Sequence, residues 1–84
     1  MSWNHRVVRR TYPNTHMDDS ILYEIHEVYY DSDGTIGSIT EEPISIMEES
    51  IDDLRKTVER LTKCLESPII DYDTLQEIQQ GEKL

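Results

Sequence analysis

The 84-residue chain has one cysteine, three glycines, three prolines and few cations: 8 Lys and Arg stand against 18 Asp and Glu, a net charge of −10. The lone Cys64 rules out an internal disulfide framework and a cysteine-based zinc site. It reads as a small buried hydrophobe, with a reactive thiol as the alternative. No apolar run approaches the ~18 residues that span a bilayer, and the N-terminus has no signal-like apolar core, so the expected location is cytoplasmic. With 36% hydrophobic residues at regular spacings, the composition is not that of a disordered chain. The charge argues against a general phosphate-binding surface and against an anionic membrane surface. A chain of this size buries only roughly 60–65% of its unfolded surface, which leaves little interior for a deep catalytic pocket. A binding protein without a cofactor is therefore expected, rather than an enzyme.

The shortage of cations is local. Residues 1–16 hold Arg6, Arg9 and Arg10 and no acid. Residues 17–49 hold ten acids (Asp18, Asp19, Glu24, Glu27, Asp31, Asp33, Glu41, Glu42, Glu48, Glu49) and no Lys or Arg. Residues 50–66 are balanced and the last eighteen residues carry −3.

The pattern predicts an α+β fold: a three-stranded antiparallel sheet with one amphipathic helix packed on it and a short C-terminal helix. Aromatic and β-branched residues predict a strand over Trp3–Thr11, closed by Tyr12-Pro13-Asn14. Ser20–Tyr30 is the second strand, with Ile21, Tyr23 and Ile25 on one face and Leu22, His26, Val28 and Tyr30 on the other. Its apolar phase drifts near Glu27, so both faces are partly covered or a bulge lies there. Asp31-Ser32-Asp33-Gly34 predicts a hairpin loop in which Gly34 takes positive φ. Thr35–Thr40 returns as the third strand, weakened by Gly37 at an edge or bend. Ser50 is an N-cap with Asp53 three residues on, and Ile51, Leu54, Val58, Leu61 and Leu65 form one apolar stripe ended by Pro68. That stripe calls for a sheet to cover it. Ile69 and Ile70 anchor the chain back on the core, and Asp71 or Asp73 caps a helix over Thr74–Gln80. Residues 1–72 form the domain, and 73–84 the short helix and a frayed tail.

The chemical motifs fail or stay weak. His26-Glu27 lacks the second histidine of a zinc protease, because position 30 is Tyr30. Asp31-x-Asp33-Gly34 lacks the acids at the ends of a calcium loop, so the turn is the better reading. His5, His16 and His26 could hold a metal only if the fold gathered them with Glu24 or Glu27. No nucleophile elbow or glycine-rich phosphate loop is present. Trp3, Tyr12, Tyr23, Tyr29 and Tyr30 with the Arg run could stack single-stranded nucleic acid, but aromatics of a small sheet ordinarily form its core. The acidic stretch is either a solvated face or a surface that docks on a basic groove.

Ser2-Trp3-Asn4, Ile25-His26-Glu27-Val28-Tyr29-Tyr30-Asp31, Thr40-Glu41-Glu42-Pro43, Ser50-Ile51-Asp52-Asp53-Leu54 and Pro68-Ile69-Ile70-Asp71-Tyr72 resemble a family of small uncharacterised bacterial proteins. These share the Ser-Trp-Asn opening, the Ile-His-Glu-Val-Tyr-Tyr-Asp strand and a closing Pro-x-x-Asp-Tyr. The chain departs at Ile46 and Glu48, and in carrying Asn14–Asp19 before the second strand. The resemblance brings no activity; it implies that Ile25–Asp31 and Ser50–Leu54 matter to the fold or its use. The strand-strand-strand-helix order is similar to HicB-type antitoxin domains, and small acidic proteins of this kind resemble phage-encoded anti-CRISPR inhibitors as a class.

The expected function is contact with another protein that offers a basic surface, most concretely inhibition of a nucleic-acid-handling complex. Asp31, Asp33, Glu41, Glu42, Glu27 and Tyr30 are the expected contact residues. A sheet covered on one face only also implies a homodimer. The alternatives are an antitoxin-like dimeric regulator using Trp3–Arg10 and the helix, or a purely structural homodimer.

Overall fold

The computed structural model describes residues 2–14 and 16–78. Two eleven-residue strands, β1 (Ser2–Tyr12) and β2 (Ser20–Tyr30), pair antiparallel over their whole length, from Ser2 opposite Tyr30 to Tyr12 opposite Ser20. That pairing runs without a break past Glu27, so the phase drift there reflects burial on both faces and not a bulge.

β3 (Ile36–Ile39) pairs with β2, and its register shifts between Tyr29 and Tyr30. Gly37 is the extra residue; a Cβ there would stand 2.5 Å from Asp31 Oδ1. Gly34 adopts φ +88°, as the hairpin loop requires. Beyond β3 the chain stays beside β2 through the Thr40 N–H to Glu27 carbonyl and the Ile44 N–H to Ile25 carbonyl. Pro43, without an N–H, interrupts regular pairing there.

The helix α1 (Ile51–Leu61) starts where expected: Ser50 is extended and its hydroxyl accepts from the Asp53 N–H at 3.1 Å. It tightens into a 3-10 helix over Thr62–Glu66 before Pro68. Among the described residues no helix is long and apolar enough to cross a membrane.

Two further strands enlarge the sheet. β4 (Ile70–Asp71) lies parallel to β1, with Ile70 opposite Val8, and β5 (Gln76–Glu77) pairs antiparallel to β4. The sheet is therefore α+β in class but mixed and five-stranded, in the order β3-β2-β1-β4-β5, where three antiparallel strands were expected.

The C-terminal helix expected over Thr74–Gln80 is corrected for its described part. The Asp71 carboxylate does accept from the Asp73 and Thr74 N–H groups at 2.9 and 3.2 Å, as a cap would. The chain then turns back through Leu75 at φ 58° and pairs as β5. A left-handed residue ends a helix instead of continuing it. Residues 79–84, and with them the expected tail, lie outside the described residues.

The sheet curls. Its two edges, represented by Tyr30, Gly34 and Ile36 on one side and Leu75, Gln76 and Glu77 on the other, line a single cleft of about 520 Å³. Val8, Val28 and Ile70 are fully buried on the inner face, packed by Tyr30, Ile36, Ile39 and Tyr72. The sheet thus covers its own second face, which the sequence reading had left for a partner.

The helix lies on the outer face, where Val7, paired with Ile25, is buried together with Leu61 and Cys64. The helical stripe is only partly used: Ile51, Val58 and Leu65 stay exposed.

Candidate functional site

Alternation along β1 and β2 sorts the functional side chains. Even-numbered residues from Asn4 to Tyr12 share the inner face with Leu22, Glu24, His26, Val28 and Tyr30. Trp3, His5, Val7 and Arg9 share the outer face with Tyr23, Ile25, Glu27 and Tyr29.

On the inner face, His26 is fully buried and both ring nitrogens are committed. Nδ1 lies 2.9 Å from the Thr40 carbonyl, which can only accept, and Nε2 lies 2.8 Å from Glu24 Oε1. The Thr40 hydroxyl is itself spent on the Glu42 carbonyl. Glu24 also accepts from the Tyr12 hydroxyl. Burial acts to raise the Glu24 carboxyl, but the hydrogen bonds from Tyr12 and His26 outweigh it and hold it below the ordinary value. The same bond raises the Tyr12 phenol. The Arg10 guanidinium completes the cluster, 4.1 Å from the Tyr72 ring centroid and 4.9 Å from that of Tyr12, while donating to the Glu41 carbonyl. Within it the Tyr12 phenol, the Glu24 carboxylate and both His26 ring nitrogens are tied to one another or to Thr40. Its arrangement ties the β1–β2 ribbon to the chain leaving β3.

The cations of β1 are consumed in the same way. Arg6, buried, donates to the Tyr30 hydroxyl, the Pro68 carbonyl and Glu77 at 2.7–2.9 Å. Arg9 pairs with Asp71 at 2.9 Å. Burial pushes the Asp71 carboxyl up, and Arg9 with the Thr74 and Asp73 N–H groups more than reverses this, leaving it low. The basic first strand is therefore an internal fastening.

Glu24 and Asp71 make the fold sensitive to acid. Their folded values lie below the ordinary carboxylate range, so the unfolded chain binds more protons in acid. The stability they contribute is complete above about pH 4–5 and is lost as pH falls through their depressed folded values. In urea titrations the midpoint should be level, as far as these two groups govern it, from neutral pH down to about 5 and drop below about 4. Glu24→Gln and Asp71→Asn should each shallow that drop.

The six expected contact residues fall on different parts of this frame. Asp31 and Asp33 are exposed in the β2–β3 loop, where Asp33 accepts from the Thr35 N–H and hydroxyl, which keep its carboxyl low. Glu41 and Glu42 are exposed just past the other end of β3. With about 3.3 Å per residue, the two acidic pairs stand roughly 15–20 Å apart along one sheet edge. Tyr30 turns inward, its hydroxyl donating to Asn4 and accepting from Arg6. Glu27 lies on the opposite face and accepts from Tyr29.

The remaining sequence candidates disperse. His5 is on the outer face against Trp3, His26 is inside, and His16 sits in the β1–β2 turn. Among the described residues no three His, Cys, Asp or Glu side chains converge as a metal site. Trp3, Tyr23 and Tyr29 face outward whereas Tyr12 and Tyr30 face inward, so the five aromatics do not form one stacking platform. Cys64 is buried, and burial raises its thiol, which fits a core side chain. The Tyr12–Glu24–His26 cluster was missed by sequence reasoning. Glu24 and His26 at i and i+2 share a strand face, and that spacing was its one visible sign.

Family models, curated proteins and solved structures were all compared with this chain, and none matches it.

Proposed function

We propose that this protein is a non-catalytic binder of another protein, and that the β3 edge is its contact surface for a basic partner. One observation carries the reading. Asp31, Asp33, Glu41 and Glu42 are exposed along that edge, and none takes part in an ion pair among the described residues. Arg6 and Arg9 are spent on Glu77 and Asp71, and Arg10, stacked on the Tyr12 and Tyr72 rings, meets Glu41 through its backbone carbonyl and not its carboxylate. An edge strand flanked by acids resists pairing with other strands. The same charges attract a basic groove and speed encounter with it. The concrete version is inhibition of a nucleic-acid-handling complex, whose basic channel such an edge would occupy in place of phosphates. Tyr30 supports the edge from behind, and Glu27 lies outside the contact.

The test is capture from lysate of the source cells on the immobilised chain, read by mass spectrometry. A variant carrying Asp31→Lys, Asp33→Asn, Glu41→Lys and Glu42→Lys runs alongside; the asparagine preserves an acceptor for Thr35. A nucleic-acid-handling protein held by the wild type and lost by the variant, with unchanged circular dichroism, is the expected result. Equal retention by both chains overturns the reading.

A further inference from the structure

Where β1 begins, its outer face and the 3-10 turn after α1 enclose a cavity of about 400 Å³. Trp3 and His5 line it from the strand, Arg60, Lys63 and Cys64 from the helix end, and Ser67 from the chain that leaves it. No Asp or Glu among the described residues lines it, in a chain that carries 18 of them. Neither Arg60 nor Lys63 forms an ion pair among the described residues, and Glu59, one turn before Lys63, forms none either. Glu27, opposite His5 in the strand pairing, accepts from the Tyr29 hydroxyl and stays outside the lining. Cys64 is buried, and burial raises its thiol, so it adds no negative charge. The arginines Arg6 and Arg9 of β1 are fastened internally; these two cations are not.

The strand side of the cavity supplies an open aromatic ring. Trp3 is 53% exposed. Its ring neighbours are His5, 5.4 Å away at 85°, and Tyr29, 6.3 Å away at 37°. Neither lies parallel on the indole, which leaves it able to stack a flat ring.

We propose that this cavity binds a mononucleotide, with the phosphate held by Arg60 and Lys63 and the base stacked on Trp3. The donors suit a phosphate. The guanidinium presents a planar fork of N–H groups, the ammonium three more, and neither can accept. A phosphate monoester carries a charge of about −1.5 to −2 near pH 7 and three acceptor oxygens, enough to engage both cations. The Ser67 hydroxyl adds a donor that rotates to suit. The volume falls within the roughly 300–1,000 Å³ of small-molecule sites. A net charge of −10 opposes the further phosphates of a strand, which favours a single nucleotide. The cavity shares no residue with the four edge acids, so it stands independently of the partner reading.

Trp3 is the chain's one tryptophan, so its fluorescence reports from the cavity itself. Titration with the monophosphates of adenosine, guanosine, cytidine and uridine at physiological salt should give a saturable quench with at least one of them. The matching nucleoside and inorganic phosphate should each bind at least about tenfold more weakly, since each keeps only part of the contacts. Arg60→Ala with Lys63→Ala should weaken the nucleotide at least about tenfold with an unchanged circular dichroism spectrum, because both side chains are exposed. Trp3→Leu, read by isothermal titration calorimetry, should lose the nucleotide's advantage over inorganic phosphate. Neither quench nor heat with any of the four nucleotides at millimolar concentration overturns the proposal. So does equal affinity of the wild type and the double cation variant. A single-stranded oligonucleotide that binds more tightly than the mononucleotide overturns the small-ligand assignment. The Asp31, Asp33, Glu41 and Glu42 variant should still bind the nucleotide, which separates this outcome from that of the partner surface.

Discussion

Ile70→Ala should remove about 3–4 kcal/mol of folding stability in urea or guanidinium titrations, whereas Ile51→Ala should change it by less than about 0.5 kcal/mol. Both are isoleucines that follow the apolar pattern of their segments. Ile70 is fully buried in one cluster with Val8 and Val28, so its truncation leaves a cavity in the core of the curled sheet. Ile51 is two-thirds exposed and has little to lose in the monomer. At about 0.05–0.15 kcal/mol per residue, the total stability of a chain this size is about 4–13 kcal/mol. The Ile70 variant therefore stands near the limit of folding. Equal losses at the two positions would place the core beneath α1 and contradict the packing described above.

His26→Leu should cost about 3 kcal/mol, although leucine has nearly the size of histidine and the side chain is fully buried. Removing the ring strands the Thr40 carbonyl and leaves the Glu24 carboxylate, 11% exposed, with Tyr12 as its remaining partner. An ionised group losing one of its buried partners costs more than the pair contributed. Adding Glu24→Leu to His26→Leu should return most of the loss, because the charge that needed the partner is gone. A double variant as unstable as the additive sum would mean that the two side chains are not coupled. The acid limb of stability should shrink in the same double variant, since Glu24 no longer titrates.

These two predictions mark where the sequence was legible. Ser20–Tyr30 was read to the residue, because period-two alternation is bounded by an Asp-Ser-Asp-Gly turn on one side. Ser50 and Asp53 announced the helix start by local chemistry alone. The apolar stripe of α1 was equally plain, but periodicity reports only that a face is apolar. It does not say what covers that face, and Ile51, Val58 and Leu65 are left uncovered. β4 and β5 have two residues each, too short for any period, and their existence depends on Val8 and Arg9 offering an edge some sixty positions earlier in the chain. Asp71 or Asp73 was expected to cap a helix; the Asp71 carboxylate does accept from the Asp73 and Thr74 N–H groups, but nothing local said that Leu75 would take a left-handed conformation and reverse the chain.

The same division holds for the site. Exposed acids in a polar loop, such as Asp31 and Asp33, are visible from composition. Glu24 stood in an acidic run, and beyond its i, i+2 spacing from His26 nothing local showed that Tyr12 and the chain at Thr40 would close around the pair. The basic character of β1 was read from Arg6, Arg9 and Arg10. Their neutralisation by Glu77 and Asp71, and the stacking of Arg10 on Tyr72, are contacts across more than sixty residues. The net charge thus overstates how evenly the acids are available. Part of the acidic run holds the fold, and the acids of the β3 edge stay exposed without an ion pair among the described residues.

Binding of the captured partner to the purified chain, measured at low and physiological salt for the wild type and the four-site edge variant, tests the proposed contact at that edge most directly. The dissociation constant should rise by at least about tenfold in the variant, and the wild-type affinity should weaken as salt increases. Equal affinities for the two chains, or a wild-type affinity indifferent to salt, would contradict an acidic-edge contact.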